Sequence, residues 1–297
     1  MILESLPVAP PLLLFHGLQS SPQEFGLIAH TLRRQGIAHH ALRVPGYSLN
    51  GRGTSLDWRQ WQRGGHDSVI ASSGDAEQVV LGGLCMGGML AASIALDMPQ
   101  RVAGLVLMSP TFAYDGWGMS PIRHLRHLGY WTGLDRFFSV RERAPFGVKN
   151  PKIRQWIMRE LQQGAVSAAG PARVSLRALR EADRMLHHVR TRLARLDCPL
   201  LMIHARDDEI TTPDSVRGVF DALPVRDKEL VVLEDSYHMI TIDNERQRVA
   251  AVLAGFARRI SAGMSLPTPL PAVCANGMMF DSSMPDSIQR VTATSHS

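Results

Sequence analysis

Residues 81–88 read Leu-Gly-Gly-Leu-Cys-Met-Gly-Gly, and inside them Gly83-Leu84-Cys85-Met86-Gly87 sets a cysteine midway between two glycines. That spacing constrains the fold more than any other stretch. The residues before it (Val79, Val80, Leu81) read as a buried strand, and those after it (Leu90, Ala91, Ala92, Ile94, Ala95) as a buried helix. A strand that turns at once into a helix leaves its central side chain exposed on a strained backbone. Glycine at the flanking positions lets strand and helix pass that closely. The Cys85 side chain then sits at a helix N-terminus, where the dipole and unpaired N–H groups favour negative charge. Taken alone, the same letters also describe a glycine-rich turn around a buried cysteine. The rest of the chain decides between the two.

The chain has 297 residues and 45% hydrophobic content, enough to bury a sizeable core as one large domain or one domain with an insertion. Cys85, Cys198 and Cys274 fall at unrelated spacings, which gives no disulfide framework and no metal-ligand pattern. Nothing calls for a cofactor. Met1-Ile2-Leu3-Glu4-Ser5 lacks a basic leader and a cleavage site, so a reducing cytoplasm is the expected compartment. Val79–Leu96 carries no charge over 18 residues, near the lower limit for a membrane span. Its four glycines and the strand-to-helix switch predict a buried core segment instead, with no stable membrane insertion.

Strand and helix patterns alternate along the chain. Pro11–Phe15 is a continuous apolar run ending in His16-Gly17, and Ser20-Ser21-Pro22-Gln23-Glu24 is an orthodox helix start for a helix that stops at Gly36. Further strands are expected at Ile37–Val44, Val102–Met108, Leu200–Ile203 and Leu230–Leu233. Helices are expected around Trp58 and Trp61, from the Cys85 turn to Met98, from Asp214, and from Asn244 to about Ile260. Repeated strand–helix units mean a mostly parallel sheet flanked by helices on both faces, an α/β class. The alternation breaks after Ser109-Pro110. Residues 113–196 look helical, with no convincing strand, and are expected to form a cap over the carboxyl ends of the strands, where such sheets bind ligands. The organisation is therefore a core at 1–112 and 197–262, a helical cap at 113–196, and a disordered tail at 263–297.

Charge is segregated as well. Residues 113–196 hold 14 Arg and 2 Lys against 6 acids, a net of +10, which leaves −5 on the remainder of a chain that is +5 overall. The basic residues lack interleaved aromatics or a known motif, which argues against nucleic acid as a partner. A solvated helical face paired with the acidic core would equally explain the segregation.

A cysteine nucleophile needs a base, and the base needs an acid to fix its tautomer. In sheets with such a turn the chain order is nucleophile, acid, histidine. Asp207 and Asp208 follow the strand that begins at Leu200, and the residues alone do not choose between them. Of twelve histidines, His238 alone lies in the loop after the last strand, while His204 reads as a buried supporting residue. An oxyanion hole needs the N–H of Met86 and one from the loop His16-Gly17-Leu18-Gln19, with Leu18 preferred over Gln19. In that loop the backbone matters and the side chains read as incidental.

With these residues in hand the chain resembles the α/β-hydrolase superfamily, in particular its bacterial carboxylesterase and monoacylglycerol-lipase-like group. The motifs are His16-Gly17, Gly83-Leu84-Cys85-Met86-Gly87-Gly88, His204-Ala205-Arg206-Asp207-Asp208-Glu209-Ile210, and Ser236-Tyr237-His238-Met239-Ile240-Thr241. The resemblance covers about residues 10–260 and implies an α/β-hydrolase fold with an inserted cap. It also assigns the acid to Asp208. The departure is Cys85, where the group carries serine. Either this is a natural cysteine enzyme or a serine was replaced to trap an acyl-enzyme. A thiolate exchanging one thioester for another is near thermoneutral, so the cysteine suits acyl-thioesters. The expected function is thus acyl transfer through a Cys85 acyl-enzyme, as thioesterase or acyltransferase, on acyl-CoA or an acidic acyl carrier protein that the basic cap would steer. The alternatives are a carboxylesterase or lipase-type ester hydrolase, and a non-catalytic binding protein on the same scaffold.

Overall fold

The computed structural model describes residues 9–49, 57–120, 124–164, 166–167 and 169–264. Of the tail expected at 263–297, residues 265 onward, with Cys274, lie outside the described residues, as do residues 1–8, 50–56, 121–123, 165 and 168. In chain order the first half comprises β1 (Leu12–Phe15), α1 (Gly26–Arg34), β2 (His39–Leu42), α2 (Trp58–Ser73), β3 (Val79–Leu84), α3 (Met86–Asp97) and β4 (Val102–Met108). After β4 come α4 (Arg126–Thr132), β5 (Ser139–Arg141), α5 (Pro151–Gln163), β6 (Val166–Ser167), β7 (Gly170–Pro171), β8 (Arg173–Ser175) and α6 (Leu176–Arg190). The regular alternation then resumes with β9 (Leu200–Ala205), α7 (Pro213–Ala222), β10 (Lys228–Leu233) and α8 (Arg246–Ser261).

Six strands form one sheet in the order β10-β9-β4-β3-β1-β2, and every pairing in it is parallel. This is the expected α/β architecture. The continuous apolar runs are explained by burial on both faces, because alternate side chains of one strand enter different cores. Leu13, Phe15, Leu81 and Leu107 join Trp61, Leu90 and Ile94 under α2 and α3. Leu12, Leu14, Val80 and Val106 join Ile28, Leu32, Leu253 and Phe256 under α1 and α8. The uncharged run Val79–Leu96 is a strand followed by a helix, both buried, and no described helix is long and apolar enough to cross a membrane.

The segment between β4 and β9 departs from the expectation in two ways. It is not wholly helical: β5 pairs antiparallel with β8, and β6 with β7. Two- and three-residue strands are too short to leave an alternating pattern, so sequence periodicity could not reveal them. Second, α6 buries Ala182, Met185, Leu186 and Val189 in the same core as α2 and α3. It packs against α3 and α2, and its amphipathic spacing reports that contact. Arginines of the segment pair with acids of the same segment. Arg126 meets Asp183 at 3.0 Å, Arg180 meets Asp135 at 3.2 Å, and Arg184 meets Glu181 at 2.6 Å.

Candidate active site

Cys85 caps α3 with φ 55° and ψ −122°, a left-handed backbone that L-residues seldom adopt. The glycines around it are required by contact. A Cβ on Gly83 would overlap the backbone of Gly87 and Gly88, and one on Gly87 would overlap the carbonyl oxygens of Phe15 and His16. The turn therefore brings the N-terminus of α3 against the end of β1. Cys85 N–H donates to the Met108 carbonyl at 2.9 Å, which ties the turn to β4. The thiol Sγ lies 3.2 Å from the buried Thr111 hydroxyl.

His238 and Asp208 come together in the loops after β10 and β9. His238 Nδ1 is 2.8 Å from Asp208 Oδ2, and both side chains are nearly closed to solvent. The other Asp208 oxygen accepts from the N–H groups of Ile210 at 2.8 Å and Thr211 at 3.0 Å. Burial works against charge on both partners. For Asp208 the facing His238, with the hydrogen bonds, outweighs it and holds the carboxyl below its usual range. For His238, Asp208 and the neighbouring Cys85 outweigh burial and raise the imidazole well above its usual value. His238 Nε2 is buried with no nitrogen or oxygen partner, and the Cys85 thiol is the group that acts on the ring from nearby. Asp207 is elsewhere, with its carboxylate 3.1 Å from Lys149 Nζ. His204 is buried as expected; its Nε2 sits 2.9 Å from the Thr211 carbonyl and 3.7 Å from Asp208 Oδ2. Burial lowers its pKa.

The loop after β1 and the start of α3 each present one backbone N–H group of interest, those of Leu18 and Met86. Among the described residues neither the Leu18 nor the Met86 N–H donates a hydrogen bond. Gln19, the alternative donor, has φ 50°. Contrary to expectation, side chains shape this loop. His16 stacks on Tyr47 with ring centroids 5.1 Å apart, and its Nε2 meets the Ser48 hydroxyl at 2.5 Å. Burial lowers the His16 pKa to about 4, so the ring is neutral and serves as a strut. Glu24, also buried, accepts the Gly17 N–H at 2.7 Å, and burial raises its carboxyl to about 7. Glu209 accepts the His238 N–H at 3.2 Å and is likewise pushed up to about 7 by burial.

From Phe112 the chain runs along a cavity of about 770 Å³ whose lining includes Tyr114, Arg126, Leu186 and Arg190 but not Cys85, Asp208 or His238. That volume suits a small organic substrate. Burial, with Asp183 and Cys85 nearby, keeps the Tyr114 phenol protonated, and its hydroxyl is buried without a partner. Sequence reasoning missed Thr111, Glu24 and Glu209. Glu209 stood within the quoted motif and Thr111 directly after the β4 strand, but type and spacing carried no sign of contact.

The family model Hydrolase_4, described as serine aminopeptidase S33, matches residues 8–245. A carboxylesterase of Bacillus subtilis is 23% identical over 242 residues, covering 80% of this chain and 87% of that protein. A pimeloyl-[acyl-carrier protein] methyl ester esterase of Aeromonas salmonicida is 25% identical over 262 residues, covering 82% and 94%. Among solved structures, the monoacylglycerol lipase of Paleococcus ferrophilus superposes with a TM-score of 0.69 at 21% identity, covering 85% of this chain and 96% of that one. The strand–turn–helix at Cys85, the parallel sheet and a family match spanning most of the chain agree: this protein belongs to the Hydrolase_4 (serine aminopeptidase S33) family and has the α/β-hydrolase fold.

Proposed function

We propose that this chain hydrolyses carboxylic esters through an acyl-enzyme on Cys85. The supporting observation is the buried Asp208–His238 pair, whose imidazole is raised by the Cys85 thiol as well as by Asp208. In this reading His238, kept strongly basic by Asp208 and Cys85, takes the thiol proton before Sγ attacks the ester carbonyl. Leu18 and Met86 N–H groups receive the developing oxyanion, and the proton passes to the departing alcohol. Water, deprotonated by the same ring, then releases the acid and restores the thiol. Asp208 holds the Nδ1–H tautomer and stabilises the imidazolium. The cavity beside Thr111 takes the substrate, and residues 113–196 serve as the cap above it.

The two relatives named above carry esterase names, so esters are better supported than the acyl-thioesters expected from the sequence. A second reading keeps an acidic, carrier-linked donor. It draws on the net +10 of residues 113–196 and on the acyl-carrier name of one relative.

The test is turnover of short p-nitrophenyl esters and of acyl-CoA, with intact-mass detection of the acyl-enzyme. Cys85→Ala and His238→Ala should each cost roughly three or more decades of kcat. An adduct on Cys85 that forms and decays at the rate of turnover supports the reading. Full activity in Cys85→Ala overturns it, and no adduct from any acyl donor returns the chain to a binding role.

A further inference from the structure

The exposed large apolar side chains of the described residues concentrate in one short stretch. Leu125, Leu128, Trp131 and Leu134 recur every three residues along α4 and the turn that follows it, and Phe137 and Phe138 come next. Trp131 is 85% exposed and Phe137 73%. A three-residue spacing makes Leu125, Leu128 and Trp131 successive neighbours along α4, and Leu134 follows past the left-handed Gly133 that ends the helix. Contiguous exposed apolar surface of this kind marks a docking site.

The charges around the stripe say what kind. Asp135 is turned inward onto Arg180, whereas Glu142 is exposed between Arg141 and Arg143. The exposed charges of this stretch are Arg136, Arg141 and Arg143 against the single acid Glu142, joined by Arg173 on β8, which pairs with Arg141 in the ribbon. The Arg136 guanidinium sits 5.3 Å from the centre of the Phe137 ring. Aromatic and leucine side chains with arginines at their margin are the composition of surfaces that lie at the headgroup level of a bilayer. A two-fold dimer through this face would oppose arginine to arginine, which disfavours a second copy as the occupant.

We propose that residues 125–140, flanked by Arg136, Arg141, Arg143 and Arg173, form a peripheral docking face for an anionic lipid surface. Trp131, Phe137 and the leucine stripe enter the headgroup region, and the arginines meet the lipid phosphates. The helix lies on the membrane and does not span it. Arg126 of this stretch lines the cavity, but Leu128, Trp131 and Phe137 do not, so vesicle binding and ester turnover are read separately.

Full-length protein is centrifuged with vesicles of phosphatidylcholine alone or with about 30% phosphatidylglycerol. Binding should be at least about tenfold stronger on the anionic vesicles and should weaken with salt. The variant Leu128→Ser/Trp131→Ser/Phe137→Ser should lose binding by about tenfold or more. Its melting temperature and its turnover of a short soluble ester should stay unchanged, since these exposed side chains touch neither core nor site. Arg136→Glu/Arg141→Glu should remove the preference for phosphatidylglycerol. Three results would overturn the proposal: no sedimentation with anionic vesicles, equal binding by the triple variant, or a dimer in light scattering that the triple variant dissociates. None of them bears on ester turnover, which is read in the same samples.

Discussion

At the scale of single residues, adjacent aspartates have different fates because the loop after β9 turns one inward and one outward. Asp208 meets His238 at 2.8 Å, whereas Asp207 pairs with Lys149 at a half-exposed site. Asp208→Asn should lower kcat by about two decades or more by presenting the wrong hydrogen-bonding pattern to Nδ1. Asp207→Asn should change it less than about threefold, because exposed pairs contribute little. Sensitivity of Asp207 would mean the site uses another geometry. Glu24 supplies a second, pH-linked prediction. Its carboxyl rises from the ordinary 4.5 to about 7 because folding buries it. The folded state therefore keeps this proton longer than the unfolded one, and stability falls as pH rises from about 4.5 to about 7, then levels off. Glu24→Gln retains an acceptor for the Gly17 N–H and cannot ionise. It should melt higher than the parent at pH 8, by up to about 3 kcal/mol in stability, and differ little at pH 4.5. Thermal melts at both values check it, and an equal difference at both would refute the linkage. The sequence showed Asp208 and His238 through chain order and resemblance. It hid Glu24, because an acid two residues after a proline reads as an ordinary first-turn residue.

At the scale of elements, what was legible follows how each element is buried. The four inner strands could be read because burial on both faces leaves an apolar run, as in Leu12–Phe15 and Val102–Met108, while the edge strands β2 and β10, with His39-His40 and Lys228-Glu229, were read from the strand–helix alternation around them. The β5–β8 and β6–β7 ribbons could not, since their few residues take strand geometry from tertiary context. The bounds of the inserted segment were also obscure, because α6 carries the polarity of a surface helix and yet completes the core over α3. If α6 belongs to that core, Met185→Ala should destabilise the whole protein by about 2–4 kcal/mol in a single cooperative transition. Denaturant melts followed by circular dichroism and tryptophan fluorescence provide the check. A low first transition with an unaffected second one would instead make α6 part of a separable cap.

At the scale of the whole molecule, the net +10 of residues 113–196 against −5 elsewhere admits two readings, and the ion pairs sharpen both. Arg126, Arg180 and Arg184 are engaged by acids of their own segment, so they are poor probes of steering: reversing Arg126 would leave the Asp183 carboxylate without its cation. Arg177 is exposed, and none of these pairs involves it. An acidic donor such as acyl-CoA or an acyl carrier protein would be drawn in by the long-range field, which 0.15 M salt screens beyond about 8 Å. Its kcat/KM should then fall by an order of magnitude between roughly 10 mM and 200 mM salt, while a neutral short ester changes less than about twofold. Arg177→Glu should reduce kcat/KM for the acidic donor selectively and leave kcat unaltered, because steering acts on encounter and not on the bond-making step. Equal salt responses for the two substrates would mean that the arginines do not steer substrate at all, and the ester reading would stand without its acidic-donor variant.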